Sequence, residues 1–148
     1  MTEPISTTVT VHGLQELDAK FAEIDVVTGQ KTLRGALMFA ATPIHKAMRE
    51  GAPVGVDPDY LERKAQQKNP PSLRKGTRKW SEKANENASA TVNVGYRMKR
   101  HWYAGLLEFG TKHIAPVGWM RRAADQNWNE SVIRFKKNLA KRFERLGI

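Results

Sequence analysis

The spacing of apolar positions changes several times along the chain, and each change predicts an element. Over residues 5–11 the spacing is two, with Ile5, Thr7, Val9 and Val11 on one face and Ser6, Thr8 and Thr10 on the other. That is the period of a half-buried strand. Gly13 ends it, and Leu14, Leu17, Phe21 and Ile24 then recur at steps of three and four, which predicts a short amphipathic helix. Thr28-Gly29 predicts its end, because glycine accepts the left-handed cap conformation. A second helix is predicted over residues 31–50, where Leu33, Leu37, Ala40, Ala41, Ile44 and Met48 form one stripe. Ala36, Ala40 and Ala47 let a neighbour approach closely. Pro43 lacks an N–H and crowds the preceding turn, so a kink or break is expected there. Gly51-Ala52-Pro53 is the stop.

From about residue 54 to 83 large apolar residues thin out, while Pro58, Pro70, Pro71, Gly55 and Gly76 punctuate the chain. Arg63, Lys64, Lys68, Arg74, Lys75, Arg78, Lys79 and Lys83 crowd this stretch, which predicts an exposed basic excursion. Alternation returns over residues 88–96, with Ala90, Val92, Val94 and Tyr96 on one face of a second strand. Residues 97–101 read as a basic turn, and the apolar run 102–109 as a short buried helix closed by Gly110, with a strand as the alternative at that length. Finally Trp128, Val132, Phe135, Leu139, Phe143 and Leu146 recur at steps of three and four, opposite Arg134, Lys137, Lys141 and Arg145. Burying six such side chains offers roughly 10–15 kcal/mol gross, so this helix must dock on something. The pattern predicts one α+β domain spanning residues 1–148. Its small antiparallel sheet is packed by two N-terminal helices and a long C-terminal amphipathic helix.

Composition narrows the partners. With 148 residues and 40% hydrophobic content the chain can build one core, but hardly two. The 25 Lys and Arg against 15 acids give a formal net charge of +10. Such a surface is solvated or is matched by nucleic acid, an anionic membrane or an acidic protein. No apolar run reaches the roughly 20 residues of a membrane span. The first eleven residues lack the positive charge of a secretory signal. Cysteine is absent, which removes disulfides, thiolate metal sites and thiol nucleophiles and fits folding in a reducing cytoplasm.

The sequence carries no recognisable catalytic constellation. His12, His45, His101 and His113 share no i, i+3 or i+4 pairing, so the zinc-protease pattern is missing. There is no nucleophile elbow, phosphate loop or dinucleotide fingerprint. Asp57 and Asp59 are too few for a calcium loop. These observations predict no catalytic residue, no metal and no cofactor. Glu108, set in the apolar run 102–110, is the one acid with an unusual context. Its functional reading is a general acid or base, and its plainer reading is a carboxylate that pairs with a basic residue or caps a backbone end. No second catalytic group stands beside it in sequence, which favours the plainer reading. The basic helix face lacks an accompanying DNA- or RNA-binding motif. It therefore predicts at most non-specific contact with DNA passing nearby.

Taken in order, the pieces resemble a known family. After the first strand come Gly13-Leu14-x-Glu16-Leu17, Leu33-Arg34-x-Ala36-Leu37, Gly51-Ala52-Pro53 and Val92-x-Val94-Gly95. They are followed by Tyr103-Ala104-x-x-x-Glu108-Phe109-Gly110-Thr111 and then Trp119-Met120-Arg121 before the final helix. This order resembles the small neck or tail-completion proteins of lambda-like and HK-type long-tailed bacteriophages, over nearly the whole chain. The most specific pieces are residues 103–111 and 119–123. Members of that family carry proline directly after the arginine, where this chain has Arg122. The resemblance implies a non-catalytic virion protein, assembled in the bacterial host cytoplasm. Its subunits form a ring, often sixfold, at the head–tail junction, which completes the tail and joins it to the capsid connector. Its partners would be copies of itself and neighbouring neck and tail proteins, with no membrane. Tyr103, Ala104, Glu108, Phe109, Gly110, Thr111, Trp119, Met120 and Arg121 would form a buried hub supporting contacts between subunits. The basic residues would face acidic partners or the threading genome. The alternative is a non-specific DNA-binding protein that uses the same basic faces.

Overall fold

The computed structural model describes residues 6–8, 26–54, 73–82 and 90–147. Among them the chain is α+β. The elements are β1 (Ser6–Thr8), α1 (Val26–Ala40), α2 (Thr42–Gly51), α3 (Leu73–Gly76), β2 (Arg78–Ser81), β3 (Val92–Gly95), α4 (Met98–His101), α5 (Tyr103–Phe109) and α6 (Trp119–Leu146). The sheet has the order β1-β3-β2, and both pairings are antiparallel. Ser6 and Arg78 both lie opposite Gly95, on its two sides. Every residue of β3 is buried, as expected of a middle strand with its two faces covered. Helices α1 and α2 contact both the sheet and α6. The core gathers between them, around Ile44, Met48, Val92, Val94, Tyr96, Trp119, Phe135 and Leu139.

The break at Pro43 falls where its chemistry requires. Ala41 N–H reaches Leu37 O at 2.9 Å, and His45 N–H reaches Ala41 O at 3.0 Å. Pro43 has no N–H to offer between them, so α1 ends at Ala40 and α2 restarts at Thr42 with the proline in its first turn, where proline is tolerated. The predicted helix end at Thr28-Gly29 is corrected: α1 starts at Val26 and runs through both residues. An interior glycine costs about 1 kcal/mol relative to alanine. The burial of Thr32, Ala36, Leu37 and Ala40 on the packed side of α1 outweighs that cost. The amphipathic pattern at residues 14–24 lies outside the described residues, as does most of the predicted first strand.

Three further expectations change. The predicted excursion at residues 54–83 is ordered structure over its last part, since α3 buries Leu73 and β2 is a sheet edge. Its short strand carries only one large apolar residue, Trp80, so alternation gave no signal there. Residues 97–101 are not an exposed turn throughout, because His101 ends α4 with its ring buried between Tyr96 and Tyr103. The terminal helix starts at Trp119, nine residues before Trp128. Its buried positions are Trp119, Met120, Ala123 and Ala124, then Ser131, Phe135, Leu139 and Phe143. The second set repeats every four residues, so the buried line winds slowly around the helix. Trp128 and Leu146, expected in the stripe, are 37% and 42% exposed. Among the described residues no helix is long and apolar enough to cross a membrane.

Candidate functional site

The segment from α4 to the start of α6 is built around Glu108. On α5, Ala104 and Glu108 are one turn apart and both buried. The Glu108 carboxylate faces the first turn of α6, where Met120 N–H donates to Oε2 at 3.0 Å and Arg121 N–H to Oε1 at 2.9 Å. A helix leaves its first N–H groups without internal partners and carries partial positive charge there. The residue at the cap position, Gly118, has no side chain to satisfy them and sits in the left-handed region at φ 63°. Glu108 supplies from a distance the cap that the local sequence omits. Its plainer reading, as a carboxylate capping a backbone end, therefore holds, and both oxygens are engaged by the backbone.

The link between α5 and α6 is equally constrained. Gly110 has φ 75° and ψ 172°, a region essentially restricted to glycine. A Cβ there would lie 2.8 Å from both Ile114 O and Pro116 N. Thr111 and Ile114 exchange backbone hydrogen bonds at 2.8 and 3.3 Å, and Thr111 Oγ1 accepts from the N–H groups of His113 and Ile114. Val117 N–H returns to Leu107 O at 2.8 Å, tying the end of the loop to α5. Arg122 gives its backbone N–H to Gly118 O and its guanidinium to Val117 O, both at 3.1 Å. A proline at this position would forfeit the first of these bonds.

Beneath the loop, Trp119 is buried and its Nε1–H donates to the Tyr96 hydroxyl at 3.3 Å. Thr77 Oγ1 lies 3.0 Å from that hydroxyl and 3.0 Å from Leu73 O. All three contacts are satisfied when Thr77 donates to Leu73 and Tyr96 donates to Thr77. Burial raises the Tyr96 pKa above its ordinary value, against the lowering effect of its hydrogen bonds to Thr77 and Trp119. No local pattern signals this chain of polar groups, whose members come from three separate stretches.

The expectation of a buried α5 is half right. Its inner side is Ala104 and Glu108, while Trp102, Leu106 and Phe109 are 62%, 41% and 73% exposed. These three are spaced i, i+4, i+7, which places them on one face. Tyr103 is half-buried, and its ring meets Trp102 edge-on at 6.0 Å. Ile114, on the loop, is 43% exposed. Phe109, Thr111 and Arg121 are all exposed and therefore not part of a buried hub, and Phe109 belongs instead to an outward apolar face. A dense apolar run suggests burial on all sides, but the i, i+4, i+7 spacing with Glu108 opposite was the available clue.

The proposed basic face divides. Arg63, Lys64 and Lys68 lie outside the described residues. Lys79 is turned inward, and its ammonium donates to Met38 O at 2.9 Å and Thr42 Oγ1 at 2.8 Å, at the C-terminal end of α1. There it meets the negative end of a helix, and burial lowers its pKa. Arg134 pairs with Glu130 at 2.8 Å and lies 5.9 Å above the Phe39 ring. Arg74, whose guanidinium reaches Glu50 O at 3.5 Å, is exposed, as are Lys75, Arg78, Lys137, Lys141 and Arg145. Among the described residues no group of three or more His, Asp or Glu is placed to hold a metal ion. Comparison with protein-family models, with curated proteins and with solved structures finds no match.

Proposed function

We propose that this chain is a structural subunit of a tailed-phage neck or tail-completion ring, acting by assembly rather than catalysis. The observation that carries the reading is the outward face of α5, where Trp102, Leu106 and Phe109 stand on solvent while Ala104 and Glu108 are buried on its inner side. The order of motifs along the chain supports it, since residues 103–111 are the part most similar to that phage family. Covering the exposed portions of these three side chains offers on the order of 3–5 kcal/mol gross. A bimolecular contact costs about 4–15 kcal/mol in lost freedom. One such contact alone is weak, whereas a closed ring gives each subunit two contacts and rewards closure. In this reading Glu108 fixes the angle between α5 and α6, so that the apolar face is presented in one orientation. The ring would sit in the virion at the head–tail junction. The exposed Lys137, Lys141 and Arg145 would meet acidic neighbours or the passing genome.

The test is the solution mass of the purified chain by light scattering, with and without duplex DNA. Closed oligomers that ignore DNA are expected. A single subunit whose mass changes only on adding DNA, with binding that weakens steeply as salt rises, would replace this reading with non-specific DNA binding.

A further inference from the structure

We propose that the outward face of α5 receives the acidic segment at residues 14–25 of a neighbouring copy; this rests on the ring reading above. The receiving side is defined by its charges as well as its apolar spacing. Between residues 90 and 124 the only acid is Glu108, and it is buried with both oxygens on backbone N–H groups. The same stretch carries Arg97, Lys99, Arg100, Lys112, Arg121 and Arg122, all exposed. They flank Trp102, Leu106 and Phe109 in the chain, on α4 before them and on the loop and first turn of α6 after them. Along the chain the apolar stripe is thus bracketed by six exposed bases and no exposed acid, which fits an acidic amphipathic partner.

The chain carries such a segment. Leu14, Leu17, Phe21 and Ile24 recur at steps of three and four, interleaved with Glu16, Asp18, Glu23 and Asp25 against a single base, Lys20. The first 25 residues hold five of the 15 acids and one of the 25 bases, so the rest of the chain is the more positive for it. In sequence the segment lies between β1 and α1. A heterologous ring contact requires two different, complementary patches on every subunit, and these two patches are complementary in both apolar spacing and charge.

Two full-length variants and their mixture test this. Trp102→Ser/Phe109→Ser removes the receiving face at positions already exposed, and Glu16→Lys/Glu23→Lys inverts the donor. Circular dichroism checks that both keep the wild-type fold, and light scattering reads the mass. Each variant alone is expected to be a single subunit. Their equimolar mixture should recover dimers and nothing larger, because only one intact donor–receiver pair can form. Raising the salt should dissociate those dimers. Wild-type oligomers that persist unchanged in both variants would overturn this contact and leave the ring reading standing. A wild type that stays a single subunit at every concentration would remove the ring reading and this proposal together. If the receiving-face variant keeps the wild-type mass but loses binding to phosphatidylserine-containing vesicles, the face belongs to a lipid surface and the proposal fails.

Discussion

Replacing Glu108 by alanine separates two helices that the carboxylate holds together. The substitution removes acceptors for two N–H groups of the first turn of α6, that of Met120 in a buried setting and that of Arg121 in a partly exposed one. Water reaches Arg121, so its loss is limited to about 0.5–1.5 kcal/mol, the net worth of one hydrogen bond. Met120 N–H is left buried and unpaired, which costs about 1–3 kcal/mol. Loss of the negative charge at the positive end of α6 adds about 0.3–1 kcal/mol. These sum to roughly 2–5 kcal/mol, and for a chain of this size each kcal/mol lowers the melting temperature by about 2–4 °C. Glu108→Ala is therefore expected to melt some 5–15 °C below wild type by roughly these slopes, with a matching drop in urea midpoint and an unchanged denaturant slope. Assembly should weaken with it, because the α5 face loses its fixed orientation. A Glu108→Ala chain with wild-type stability and wild-type assembly would refute both the capping role and the hub built on it.

Three further outcomes follow from local geometry. Gly110→Ala should cost more than about 2 kcal/mol, combining a glycine-only backbone region with contact against Ile114 O and Pro116 N. Gly118→Ala, with nothing within 4 Å of the new Cβ, should cost about 1–2 kcal/mol from the left-handed backbone alone. Urea titration of the pair checks the order, and equal costs would contradict it. Ser131→Ala should raise stability by about 1 kcal/mol, because among the described residues the buried Ser131 hydroxyl finds no hydrogen-bond partner beside an apolar gap lined by Leu37, Ala41, Val92 and Phe135; a measured loss would mean the hydroxyl is paired. Tyr96, whose pKa is raised by burial, contributes stability that is complete below its unfolded value near 10. That contribution is lost as pH rises through the higher folded value. Phenolate absorbance should show one tyrosine ionising above the others, and Tyr96→Phe should remove the corresponding fall in stability at alkaline pH.

Periodicity made much of the fold legible. The Pro43 break, the strand through Val92 and Val94 and the packed Phe135, Leu139 and Phe143 stripe all follow from spacing within a few residues. What it missed depends on partners far apart in sequence. The start of α6 was invisible because its cap comes from Glu108, eleven residues before Trp119. The strand at Arg78–Ser81 is hidden by its charge, since Lys79 reads as a surface base yet donates to Met38 O on α1 and Thr42 Oγ1 on α2. At the candidate site the apolar run 102–109 marks a helix, but not the direction its side chains face. Large apolar residues usually go into the core, so spacing alone places Trp102 and Phe109 there. Only the geometry of α5 turns them outward.

The outward face of α5 is proposed as a contact between subunits. It is tested most directly by counting subunits with native mass spectrometry in the wild type and in Trp102→Ser/Phe109→Ser at equal concentration. One closed multi-subunit species is expected for the wild type and single subunits for the variant. The same species in both, or single subunits in both, would contradict it.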